Sequence, residues 1–111
     1  MHVRGYATLG ENIADLGGAV MGYEAFMKTQ QAKDGKAING LTPEQRYFLG
    51  FAYSWMVQRT NKSAATQIMT DVHSPAMFRI NGPLSNMPEF FKAFNIKDGD
   101  TMFRKEVVKI W

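Results

Sequence analysis

The stretch Gly10-Glu11-Asn12-Ile13-Ala14-Asp15-Leu16-Gly17-Gly18 constrains the chain more than any other, because it asks one helix to meet opposite demands on its two sides. At helical spacing Glu11, Asp15, Gly18 and Gly22 share a face, while Leu9, Ile13, Leu16, Val20 and Met27 recur on the other. The apolar stripe needs a core. The acidic face can hold a cation or orient a histidine. Its glycines, each roughly 1 kcal/mol less favourable than Ala in a helix, make sense where another part of the chain approaches closely. The acids also have a purely local explanation. Thr8-Leu9-Gly10-Glu11 has the form of a capping box, with Thr8 capping and Glu11 reaching back to the cap N–H, and acids in a first turn suit the helix dipole. On this reading the helix runs from about Leu9 to about Gln31, where Ala32-Lys33-Asp34-Gly35-Lys36 turns polar.

Downstream, Leu41-Thr42-Pro43-Glu44-Gln45 announces a second helix by a Thr cap, a Pro at the first helical position and a Gln that closes a capping box. Tyr47, Phe48, Phe51, Ala52, Trp55 and Met56 form its broad apolar stripe. A short helix fits Asn61 to Asp71. From Val72 to Ser85 the periodicity dissolves, and Ser74 and Gly82, each preceding a proline, are pushed toward extended backbone. An irregular segment is expected there, displaying His73, Arg79 and Asn81. Asn86-Met87-Pro88-Glu89 restarts a helix with Asn86 as cap, and Phe90, Phe91 and Phe94 supply its apolar contacts. Asp98-Gly99-Asp100 reads as a turn, since the later ligands of a calcium loop are missing. A short last segment ends at Trp111.

At 111 residues the chain is one unit at most, mainly α, with three or four helices. Its net charge of +3 is small and the basic residues are scattered, which argues against nucleic acid as a partner. No apolar run is long enough to cross a bilayer. Cysteine is absent, so disulfides, thiolate metal sites and thiol nucleophiles are excluded. The eight methionines suit core filling before any metal role.

Two separated blocks carry a resemblance. Gly10 to Gly18 followed by Tyr23-Glu24-Ala25-Phe26 resembles the helix that supplies the third zinc ligand in the neprilysin family of zinc endopeptidases. Asp71-Val72-His73-Ser74-Pro75, then Phe78-Arg79-Ile80-Asn81-Gly82-Pro83-Leu84-Ser85-Asn86, resembles that family's later segment, and the terminal Trp111 matches too. The resemblance implies the C-terminal helical portion of a thermolysin-like (gluzincin) catalytic domain. It also implies one zinc per full-length enzyme, a peptide substrate, and an N-terminal portion of the same enzyme as partner. Animal members carry cysteines where this chain has Met56, Asn95 and Val108, a departure that points to a bacterial relative. An extracytoplasmic parent is one expectation, and self-association through an uncovered face is another.

Under that resemblance Glu11 is the metal ligand, and Asp15 accepts a hydrogen bond from a zinc-bound histidine and fixes its ring. His73 donates to the oxyanion formed at the peptide carbonyl, with Asp71 orienting it. Arg79 holds a backbone carbonyl of the substrate, and Trp55 walls the pocket for the side chain after the scissile bond. Each residue also has a plainer reading: Glu11 and Asp15 as first-turn acids, His73 as a histidine satisfied by its neighbours, Arg79 in a surface salt bridge, Trp55 in the core, and Asn12 in local hydrogen bonding. A catalytic zinc site of this type needs a His-Glu-x-x-His helix, and His2 and His73 lack that spacing, so the chain cannot build the site alone. The alternative function is a metal-free helical module that binds a peptide or a partner protein.

Overall fold

The computed structural model describes residues 2–110 and folds them into six helices: α1 (Gly5–Met27), α2 (Gln30–Lys33), α3 (Pro43–Ser54), α4 (Asn61–Thr70), α5 (Ala76–Leu84) and α6 (Pro88–Phe94). The mainly helical expectation holds. Among the described residues the only β pairing is an isolated bridge between Ile38 and Leu41. Trp111, part of the resemblance, lies outside the described residues.

Helix α3 starts as its residues require. Thr42 Oγ1 accepts from the Gln45 N–H at 3.2 Å, Gln45 Oε1 accepts from the Thr42 N–H at 3.0 Å, and Pro43 occupies the first turn. The Gln45 amide then donates to the Ala93 carbonyl at 2.9 Å, so one residue both starts α3 and ties it to α6. Thr60 caps α4 through the Ser63 N–H. Asn95, in the left-handed region at φ 53°, ends α6, and Gly99 at φ 96° makes the expected turn.

The described residues form six helices where three or four were expected, and the first expected helix ends at Met27 with α2 following from Gln30. Three local expectations also fail, for physical reasons. Helix α1 begins at Gly5, so Thr8 lies inside it and caps nothing; its Oγ1 donates back to the Arg4 carbonyl at 3.3 Å and accepts from Asn12 Nδ2 at 3.2 Å. Glu11 and Asp15 are therefore interior helix residues, and the capping-box explanation of Glu11 falls. Residues 76–84 are helical rather than irregular. Pro75 stands just before the helix, and Gly82, with no Cβ to collide with the Pro83 ring, lets a helical backbone lead into a proline. Asn86 does not cap α6. Met87 holds that position, while the Asn86 amide donates to the Gly82 carbonyl at 3.0 Å and accepts from the Val108 N–H at 2.9 Å, latching the tail.

The core gathers Leu16 and Ala19 of α1, Phe48 of α3, Leu84 of α5, and Met87, with Phe90 and Phe94 of α6 against them. Phe48 is 1% exposed; it stacks on Tyr23 at 5.2 Å and meets Phe90 edge-on at 5.4 Å. Such contacts add to the area they bury. The α1 stripe is only partly used. Leu16 and Val20 reach the core, whereas Leu9 is 54% and Ile13 43% exposed. At Gly22 a Cβ would lie 2.7 Å from the Tyr47 hydroxyl, which donates to the Ala19 carbonyl at 2.6 Å; at Gly18 a Cβ would meet nothing within 4 Å.

The two glycines should thus respond oppositely in urea denaturation: Gly18→Ala stabilises the chain by up to about 1 kcal/mol, and Gly22→Ala destabilises it unless Tyr47→Phe is added. Burial also pushes the Tyr47 phenol above its ordinary value of 10.0. A folded-state value raised above the unfolded one contributes stability that is complete below about pH 10 and is lost as pH rises through the folded value. Alkaline unfolding followed by circular dichroism should therefore shift to higher pH in Tyr47→Phe.

Candidate active site

Helix α1 carries Glu11, Asn12 and Asp15 along one side, and α5 packs against that side more closely than any other helix. The segment between α4 and α5 then brings Asp71, His73 and Ser74 over the same surface, and α3 delivers Trp55 at its C-terminal end. Residues separated by about sixty positions meet there.

The tightest contact joins Asp15 and Arg79. Arg79 Nε donates to one carboxylate oxygen at 2.6 Å and Nη2 to the other at 2.7 Å, with the two side chains 10% and 16% exposed. The Arg79 guanidinium also lies 4.0 Å from the centre of the Trp55 ring, a cation–π stack. Its pKa is raised above the ordinary value, chiefly by the hydrogen bonds to Asp15. Arg79 Nη1 is not used in either bond, and Arg79 lines a cleft of about 240 Å³ together with Trp55, Met56, Asp71 and His73.

His73 is held between two carboxylates. Its Nδ1 sits 2.7 Å from Asp71 Oδ1 and its Nε2 3.1 Å from Glu11 Oε2, so each ring nitrogen is placed as a donor. The same Asp71 oxygen accepts from the His73 backbone N–H at 2.9 Å. These backbone and side-chain bonds hold the Asp71 carboxyl below its ordinary 3.8. The Glu11–His73 contact is 38–42% exposed, and a pair so open to water is worth no more than about 1 kcal/mol. Beside it Ser74 Oγ, in a residue 2% exposed, donates to Asn12 Oδ1 at 2.8 Å, Asn12 itself being exposed.

All five residues singled out in the sequence, Glu11, Asp15, Trp55, His73 and Arg79, stand on this surface, and Asp71 orients His73 as its position two residues upstream suggests. Both Asp15 oxygens are engaged by Arg79 rather than turned toward a histidine. Three partnerships escaped the sequence reading, Asp15 with Arg79, Glu11 with His73 and Asn12 with Ser74, since no local signal links positions so far apart. Among the described residues no group of three or more His, Asp or Glu side chains can hold a metal ion. The donor chemistry fits one ligand of a shared site: Glu11 is a half-exposed carboxylate on a rigid helix, with its other flank steadied by His73.

Removing one partner of the Asp15–Arg79 pair should cost about 3 kcal/mol, the low end for a buried pair because neither side chain is fully sealed. Asp15→Asn, Arg79→Met and their double variant, compared in urea, should show strong non-additivity. The depressed Asp71 carboxyl contributes stability present above the unfolded value of 3.8 and lost as pH falls through the folded one. An NMR titration should show its midpoint rising toward 3.8 in His73→Ala.

Comparison with known proteins identifies the family. The model of Peptidase family M13 matches residues 1–110. Endothelin-converting enzyme 1 of Cavia porcellus is 41% identical over 112 residues, which cover 98% of this chain and 15% of that protein. Neprilysin-3 of Drosophila melanogaster is 38% identical over 113 residues, covering 98% of this chain and 14% of that protein. Among solved structures, the zinc metalloprotease Zmp1 of Mycobacterium tuberculosis superposes with a TM-score of 0.86 at 36% identity, over 99% of this chain and 17% of that one. The chain thus spans about one seventh of the length of the curated relatives it matches, 14–15%. With a family match along nearly its whole length and relatives well above the level at which descent is ambiguous, the chain belongs to peptidase family M13.

Proposed function

We propose that this chain is the C-terminal portion of a zinc endopeptidase and supplies one metal ligand, one oxyanion donor and one substrate-binding cation to a site completed elsewhere in the enzyme. The observation that carries the reading is the convergence of Glu11, His73 and Arg79, from three separate elements, on one surface beside the Trp55 cleft. The shared donor set and the small share of its relatives that the chain spans support placing the remaining ligands in the rest of the enzyme. Zinc, when bound, supplies Lewis-acid activation of water and of the peptide carbonyl.

Each side chain then has a task set by its surroundings. Glu11 offers an anionic oxygen from a helix that cannot sway. His73, held by Asp71 at Nδ1, turns Nε2 toward the carbonyl oxygen as negative charge develops there, a donor arranged before the charge exists. Arg79, clamped by Asp15 and stacked on Trp55, keeps its remaining N–H groups for a backbone carbonyl of the peptide. Trp55 also walls the cleft that receives the neighbouring side chain. The exposed apolar residues of α1, Leu9 and Ile13, lie in a groove of about 420 Å³ suited to packing against the rest of the enzyme.

In the full-length protein, His73→Gln should lower kcat by about 10²–10³-fold with little change in KM or zinc content. Glu11→Gln should strip zinc, measured by atomic emission after dialysis. Wild-type zinc stoichiometry in Glu11→Gln would overturn the ligand assignment, and an unchanged kcat in His73→Gln would overturn the oxyanion role.

A further inference from the structure

We infer that Asn12 and Ser74 form a half-buried clasp that positions His73 for its task, a role that rests on the proposed reading of His73 as an oxyanion donor. The observation is a doubled contact between the same two segments. Glu11 meets His73, and the next residue of each segment, Asn12 and Ser74, meets beside it. The second contact is shielded at one end: Ser74 is 2% exposed and its hydroxyl donates to Asn12 Oδ1 at 2.8 Å, while Asn12 itself is exposed on α1.

The clasp is directional and anchored at its far end. Asn12 accepts from Ser74 through Oδ1, donates from Nδ2 to Thr8 Oγ1 at 3.2 Å, and Thr8, 3% exposed, donates to the Arg4 carbonyl at 3.3 Å. That chain of donors fixes the Asn12 amide in one orientation, with its oxygen facing the His73 segment. The arrangement answers a requirement of the proposed chemistry. Once Glu11 binds a metal it no longer holds His73 Nε2, and the imidazole must stay in place by other means. Asp71 fixes the ring's tilt from within its own segment, whereas the Asn12–Ser74 bond fixes where that segment sits relative to α1. Asn12 and Ser74 are thus positioning residues, acting on the transition state through His73.

The test uses the full-length enzyme carrying Asn12→Ala, Ser74→Ala, or both. Each single variant should lower kcat at least tenfold while KM and bound zinc stay near wild type. The double variant should fall no further. Its resistance to urea should recover relative to Asn12→Ala, because removing the Ser74 hydroxyl as well leaves no buried group unpaired. Hydrogen exchange at residues 72–74 should quicken in all three variants while the peptides of α3 and α6 do not change. Wild-type kcat in the stable double variant would overturn the clasp and leave the bond a purely structural one. Additive losses, or unaltered exchange at 72–74, would overturn it as well. His73→Ala separates the two levels of argument: if it leaves kcat intact the underlying reading of His73 fails, and if it abolishes turnover while the clasp variants do not, the clasp alone fails.

Discussion

The ion pair between Asp15 and Arg79 is the contact on which the site depends. A guanidinium and a carboxylate joined by two parallel hydrogen bonds fix direction as well as distance, and at 10–16% exposure there is little water to stand in for either partner. Because Asp15 rides on α1 and Arg79 on α5, the pair fastens these helices together where their surfaces meet. The Trp55 ring, 4.0 Å from the guanidinium, adds a third element by fixing the plane in which Arg79 lies. One side chain thereby joins the long helix, the short proline-bearing helix and the end of α3.

Around that joint the site divides into a dry bed and a wet working surface. Asp15, Arg79 and Ser74 make up the bed, where a misplaced partner would strand a polar group away from water; Asn12, at its edge, accepts the Ser74 bond. Glu11, His73 and Asp71 make up the surface, each 38–42% exposed in its side chain. The half-exposed groups are those with the chemistry to act on a ligand, and their mutual attraction is weak enough to be exchanged for a new partner. Rigidity comes from below, and below that from the aromatic packing of Phe48 with Tyr23, Phe90 and Phe94, which holds α1, α3 and α6 together.

Much of this was legible in advance wherever the deciding interaction is local. The box of Thr42 and Gln45 starts α3 and Asp98-Gly99-Asp100 turns, because each closes hydrogen bonds over three or four residues. The phenylalanines of α6 pack inward as their spacing requires. Local logic misled where a residue has two possible partners. Thr8 and Asn86 both have cap chemistry, yet one serves a longer helix from inside and the other latches the tail. The two prolines near α5 argued against a helix that Gly82 makes possible. Leu9 and Ile13 share the apolar periodicity of Leu16, but periodicity says which residues face one way and not what covers them.

By itself, then, the amino-acid order determined the helical character and the places where α3, α4 and α6 begin; these rest on bonds and side-chain directions repeated within a turn or two of chain. Tertiary structure alone decided the pairing of distant side chains: that Asp15 belongs to Arg79, Glu11 to His73, and Asn12 to Ser74. Those choices span more than sixty residues, and they follow from the distance and rotation at which α1 and α5 pack, which arise from the fit of whole helix surfaces rather than from any single residue's preference.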